Sequence, residues 1–255
     1  MTSTILNSSD KYENVISLGY FCSVALETER IGLRTHSGPF DWQACIDFRK
    51  RIELIDTEFK SFFNNLNESC LYQKESEPWI YYMKACGVFL VHDFSMYKSL
   101  SEQLPMVISK YERRVYSFYK YIKKKTLFIY YVNTEADVDY INNNYDYILH
   151  VLCKFNSNNK IIFIANSDKR VTVGTTFYVK PDKGDVVSRK FLNANKDLKQ
   201  SLLNLPFDEE QRRINRNFHL KKVIMKKVKM PYVKIKNKYD RIFKKPYKHY
   251  LRINI

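Results

Sequence analysis

S-L-G-Y-F-C-S-V-A-L-E-T-E-R-I-G-L-R-T-H-S-G-P-F-D-W, residues 17–42, is the stretch on which the reading of this chain turns. A short apolar strand over 14–18 runs into Gly19, and a helix is predicted from Cys22 to Gly32 with Val24, Leu26 and Ile31 on its apolar side. The stretch closes on the turn-rich Ser37-Gly38-Pro39-Phe40-Asp41-Trp42. A thiol at a strand-to-helix junction lies near the positive end of the helix dipole, which lowers its pKa and favours the thiolate. The same place also suits a small, inert, buried cysteine.

Working outward, residues 43–63 predict a helix with Ile46, Phe48, Ile52 and Ile55 inward, and 79–83 and 87–91 read as two extended segments. A long amphipathic helix is expected over 102–124, where Leu104, Val107, Tyr111, Val115, Phe118 and Ile122 share a face. Buried strands at 127–132 and 160–165 flank a helix at 135–153. A short strand at 176–179 precedes a weaker helical region at 185–204. Apolar strands alternating with helices predict an α/β fold: a three-layer sandwich around a mainly parallel sheet. The scarcity of Gly (6) and Pro (7) in 255 residues argues against an all-β sandwich, which needs many tight turns.

The net charge of +16 is not a property of the whole chain. Residues 212–255 carry sixteen Lys or Arg against one acid, a net of +15, which leaves the first 211 residues at +1. The expected organisation is therefore an α/β domain over 1–211 and a basic C-terminal extension, helical or disordered, over 212–255. A neutral body argues against a nucleic-acid-binding core, which needs its basic stripe on the fold itself. Five widely spaced cysteines without a C-x-x-C pair read neither as a disulfide framework nor as a zinc site. No secretory leader or membrane span is read, so a cytoplasmic setting is expected.

Ligands collect beyond the carboxyl ends of parallel strands. Three polar clusters are expected there: Gly19–Ser23, His92-Asp93 and Asn166-Ser167-Asp168. Cys22 and His92 can then converge as nucleophile and base, the imidazole taking the thiol proton. Asp93, adjacent to His92 in an extended chain, should point to the other side, which leaves Asp41, Asn166 or Asp168 as the orienting group. Arg34, His36, Ser37, Asp93 and Asn166 are the candidate substrate-binding residues. Each has a plainer reading: His92 as a strand-end cap, Asp41 as an acceptor of turn N–H groups, Arg34 and His36 as a solvated loop, Phe40 and Trp42 as core anchors. Cys45, Cys70, Cys86 and Cys153 read as structural. Dinucleotide, P-loop, zincin and serine-hydrolase signatures are absent, so no cofactor or metal is assigned.

I-S-L-G-Y-F-C at 16–22, G-L-R-T-H-S-G-P-F-D-W at 32–42 and V-H-D-F at 91–94, with K-Y-E-R-R at 110–114, together resemble a bacterial family of unknown function described as papain-like cysteine peptidases. The resemblance covers about 14–170 and implies Cys22 as nucleophile and His92 as base. It also implies a setting in surface-polysaccharide metabolism, hence a glycan or other small-molecule substrate. Papain-like folds place the histidine on a mainly antiparallel sheet, whereas the alternation here predicts parallel strands. The fold expectation follows the alternation, which discounts proteolysis and keeps a thiol-dependent hydrolase or transferase. The rivals are a glycosyltransferase-like or phosphate-transferring enzyme with Cys22 structural, and a non-catalytic interaction protein. For 212–255, lysines mixed with Val, Ile, Met and Tyr point to an anionic membrane surface at its inner face. A polyanion and a merely solvated tail are the competing readings.

Overall fold

A computed structural model describes residues 11–19, 22–34, 36–44, 47–166, 170–179 and 191–254. Strands β1 (Asn14–Gly19), β6 (Thr126–Val132), β7 (Lys160–Asn166) and β8 (Thr175–Val179) form a four-stranded sheet in the order β1-β6-β7-β8, every pair parallel. Two faces must be covered in such a sheet, and its strands accordingly read as unbroken apolar runs. All seven residues of β6, T-L-F-I-Y-Y-V, are buried.

Alternation along each strand sorts its side chains into two cores. Ile16, Leu18, Phe128, Tyr130, Ile161 and Phe163 face one cluster, completed by α2 (Phe48–Asp56), α4 (Leu100–Ile122) and α5 (Glu135–Cys153). Val15, Leu127, Ile129, Ile162 and Ile164 face the other, closed by α1 (Cys22–Arg30), α6 (Phe191–Ala194) and α7 (Lys196–Leu203). This is the expected three-layer arrangement. The long helix α4 starts two residues earlier than its periodicity indicates. Ser99 caps it, accepting the Glu102 N–H while the Glu102 carboxylate takes the Ser99 N–H at 2.8 Å.

The segment between β1 and β6 departs from expectation. Residues 43–63 form not one helix but β2 (Gln43–Ala44), α2 and α3 (Lys60–Asn65). Asp47 caps α2 through the Lys50 N–H at 2.7 Å, and the chain turns at Glu58 and Phe59, both left-handed with φ of 53° and 60°. The Phe59 ring explains the break, since it is fully buried against Phe40, Phe62 and Phe118. Its packing outweighs a backbone cost of about 1 kcal/mol or more.

Residues 79–91 do pair, but in a second sheet. β3 (Leu71–Lys74), β4 (Tyr81–Met83) and β5 (Val88–Leu90) run antiparallel with β2 in the order β2-β5-β4-β3, and Gly87 at φ 64° makes the β4–β5 reversal. His92-Asp93 therefore leaves the end of an antiparallel strand, not of the parallel sheet. Three-residue strands joined by a tight turn can only return on themselves.

The basic extension is a helix, α8 (Glu209–Phe243), followed by β9 (Arg252–Ile253), which pairs parallel with β3. Its first half sits on α1. Asn215 donates to the Gly32 carbonyl at 3.0 Å, and His219 and Lys222 hold the Glu29 carboxylate at 3.0 and 2.7 Å. Beyond α8, the buried His249 gives its N–H to Gln73 Oε1 at 2.8 Å. The composition changes near 211, but contacts to the body continue to residue 253.

Candidate active site

Gly19 ends β1 at φ 100°, its N–H bonded to Ser17 Oγ at 3.1 Å, with the pairing to β6 shifting register between Ser17 and Gly19. A side chain there would strike the Arg51 guanidinium, which lies 2.6–2.8 Å from an ideal Cβ. Arg51 is wholly buried, beneath the strand end and 5.4 and 5.8 Å from the Phe40 and Tyr130 ring centres. Cys22 is the first residue of α1, partly exposed, with no acidic residue in the first helical turn. The N-terminal N–H groups and the dipole of α1 thus favour negative charge at the position of the thiol.

Cys22 and His92, seventy residues apart in sequence, line one cleft of about 500 Å³ together with Leu26, Ser37, Trp42, Asp93, Lys110, Arg114 and Lys226. His92 is exposed at this cleft, its ring edge-on to Trp42 with centroids 5.9 Å apart. Asp93 is turned inward, bonded to Lys110 and, at 3.0 Å, to the Tyr111 hydroxyl. Burial, aided by that carboxylate, pushes the Tyr111 phenol well above its ordinary pKa, so it stays a donor. Lys110 and Arg114, one turn apart on α4, present cations to the cleft. Arg114 Nη1 is buried without a hydrogen-bond partner among the described residues. Lys226 arrives from α8.

The remaining sequence candidates fall elsewhere. Asp41 is fully buried and its carboxylate is taken by Arg34, with Nη1 at 2.9 Å, and by the Gly38 N–H at 2.7 Å. Among the described residues no carboxylate bonds to His92. Arg34 and His36 border a different cavity, with Tyr12, Asn14 and Tyr121. The His36 ring stacks on Tyr121 at 3.9 Å, and burial, then the neighbouring Arg34 charge, lower its pKa to about 4. Asn166 is buried and accepts the Tyr131 hydroxyl. Asp168 and Cys45 lie outside the described residues. Burial raises the thiol pKa of Cys86 and of Cys153.

Lys110 and Arg114 were not among the sequence candidates, and their i, i+4 spacing within K-Y-E-R-R was the signal that could have found them, whereas Lys226 carried no sequence signal toward the cleft. Among the described residues no group of three or more His, Cys, Asp or Glu side chains is placed to hold a metal ion.

The model of a family described as putative papain-like cysteine peptidase (DUF1796) matches residues 13–167. The match spans more than half of the chain, and the chain belongs to this family. None of the curated proteins and none of the solved structures matches it. The matched region contains Cys22, the antiparallel strands β2 to β5 and His92, and it ends before α8 and β9.

Proposed function

We propose that the chain is a cysteine-dependent acyl-transfer enzyme in which Cys22 is the nucleophile and His92 its general base. The observation that carries this reading is the convergence of Cys22, at a helix N-terminus, and His92, at the end of a separate sheet, on one open cleft. In the step envisaged, His92 takes the thiol proton and the sulfur attacks a carbonyl carbon. The carbon–leaving-group bond breaks, the leaving group departs with the proton held by His92, and a thioester remains. Water, or an acceptor hydroxyl, gives its proton to His92, attacks the thioester and regenerates the thiol. Trp42 limits the swing of the imidazole in place of a carboxylate, and the α1 N-terminus favours the thiolate.

Arg114 and Lys226 line the cleft and favour a substrate with negative charge beside the reacting carbonyl, Lys110 being held by Asp93. An acidic or phosphorylated glycan derivative fits that requirement and the polysaccharide setting implied by the family resemblance. The same cations support a second reading, glycan or phosphate transfer with Cys22 merely packing under the substrate.

Iodoacetamide separates the two. Cys22 should alkylate faster than Cys86 and Cys153, whose thiols are held protonated by burial, and His92→Ala should slow Cys22 about tenfold or more near neutral pH. A Cys22 rate no faster than theirs, or indifferent to His92→Ala, overturns the thiol mechanism.

A further inference from the structure

The helix α8 has two faces, and only one of them is explained by the fold. Arg212, Asn215, His219, Lys222 and Lys226 recur at intervals of three and four and form the face turned to the body: Arg212 and Asn215 are buried, and Lys226 reaches the Cys22 cleft. A second series, Met225, Val228, Tyr232, Ile235, Tyr239 and Ile242, recurs at the same intervals. At 100° per residue the two series are centred roughly 150° apart around the helix. The second series is thoroughly exposed: Val228 is 69%, Tyr232 70%, Ile235 70% and Ile242 60% accessible. Six large apolar side chains in a continuous stripe are far more than the scattered exposed residues of an ordinary surface.

Charge selects the occupant. Lys229 and Lys236 run along one edge of the stripe and Lys227 and Lys238 along the other, while Lys221 continues its line toward the N-terminus. Asp240, the one acid after residue 211, is already held by Lys244 at 2.7 Å. A second copy of α8 laid against the stripe would oppose lysine to lysine along the seam. A surface of anionic lipid headgroups offers the complement to both features at once: an apolar layer for the stripe and negative charge for the lysines, whose stems can lie flat while their ammonium groups reach outward. No helix of the described residues is long and apolar enough to cross a membrane, so the contact is one of lying in the interface. We propose that α8 docks the protein in plane on an anionic membrane surface through the Met225–Ile242 stripe, with the cleft that Lys226 lines on the side of the helix turned away from the lipid.

The test uses the full chain and vesicles of phosphatidylcholine with and without phosphatidylglycerol. Wild type should co-sediment with the anionic vesicles only. Lys229→Gln with Lys236→Gln should weaken binding about fivefold for each lysine, and Val228→Asp with Ile235→Asp should abolish it. Both altered positions of that last pair are solvent-exposed, so the urea midpoint of the variant should match wild type and separates lost docking from lost folding. Undiminished vesicle binding by Val228→Asp/Ile235→Asp overturns the proposal. So does a homodimer in sedimentation equilibrium that Ile235→Asp dissolves. Retained RNA binding by the same variant, in the absence of any vesicle binding by wild type, overturns it equally. None of these outcomes depends on whether Cys22 is a nucleophile.

Discussion

Removing Asp41 tests whether the candidate triad member is a catalytic or an architectural residue. Arg34 and Asp41 side chains are 3% and 1% exposed, and the carboxylate accepts both guanidinium Nη groups and the Gly38 N–H. Asp41→Ala leaves a cation buried with only the His36 carbonyl as a partner. Breaking a buried ion pair from one side costs about 3–5 kcal/mol, and the Gly38 N–H loses its acceptor for about 1 kcal/mol more. Against a total stability of roughly 5–15 kcal/mol, a loss of about 4–6 kcal/mol should shift the urea midpoint by a large fraction. Arg34→Met with Asp41→Leu, which removes both charges and keeps apolar bulk, should recover most of that loss. The measurement is urea denaturation of the three variants, with Cys22 alkylation rates taken in the native baseline. An Asp41→Ala protein that loses less than 1 kcal/mol yet alkylates Cys22 with an altered pH profile would refute this reasoning and return Asp41 to the imidazole.

Three other outcomes are expected. Gly19→Ala combines a positive φ with a collision against the Arg51 guanidinium, so it should cost about 2–4 kcal/mol by thermal unfolding; a loss below about 1 kcal/mol would mean that Arg51 does not pack rigidly against the end of β1. His36 is held neutral with a pKa of about 4, so the unfolded chain binds its proton first. Stability present above pH 6.5 should fall by on the order of 2–3 kcal/mol as pH drops toward 4, and a His36→Gln protein that keeps that slope would contradict it. Burial alone would raise the Glu29 carboxyl, but Lys222 and His219 outweigh burial and lower it. The clasp between α1 and α8 should therefore persist above the ordinary carboxylate range and open in acid, read as faster hydrogen exchange over 209–226; the same acid response in Glu29→Gln would assign it elsewhere.

The parallel sheet was legible because its strands are buried on both faces. L-F-I-Y-Y-V at 127–132 and K-I-I-F-I-A at 160–165 admit no polar residue within their centres, and the 3.6-residue periodicity of α4 and α5 marks what covers them. The extended segments at 79–83 and 87–91 were legible, but not the second sheet that they join, because strands of three residues such as Tyr81–Met83 and Val88–Leu90 carry too short a pattern to say what pairs with them. Which sheet carries His92 is a question of pairing, and pairing is not written in either strand alone. The break at Phe59 was illegible for a similar reason: a left-handed backbone is tolerated there by rings from Phe40 and Phe118, far along the chain.

The sequence alone determined that Cys22 stands where a parallel strand hands over to a helix, since apolar burial and local backbone preference act over a few residues. It also established the charge of the last 44 residues. Only the tertiary structure decided what surrounds that thiol. Asp41 was drawn away to Arg34 inside the core, where an unpaired buried charge is too costly to leave. Lys110, Arg114 and Lys226 were brought in from α4 and α8. A compositional count separates the basic extension from the body, but an amphipathic helix is placed by whichever face finds a partner. Here one face found α1, and the apolar stripe remained outward.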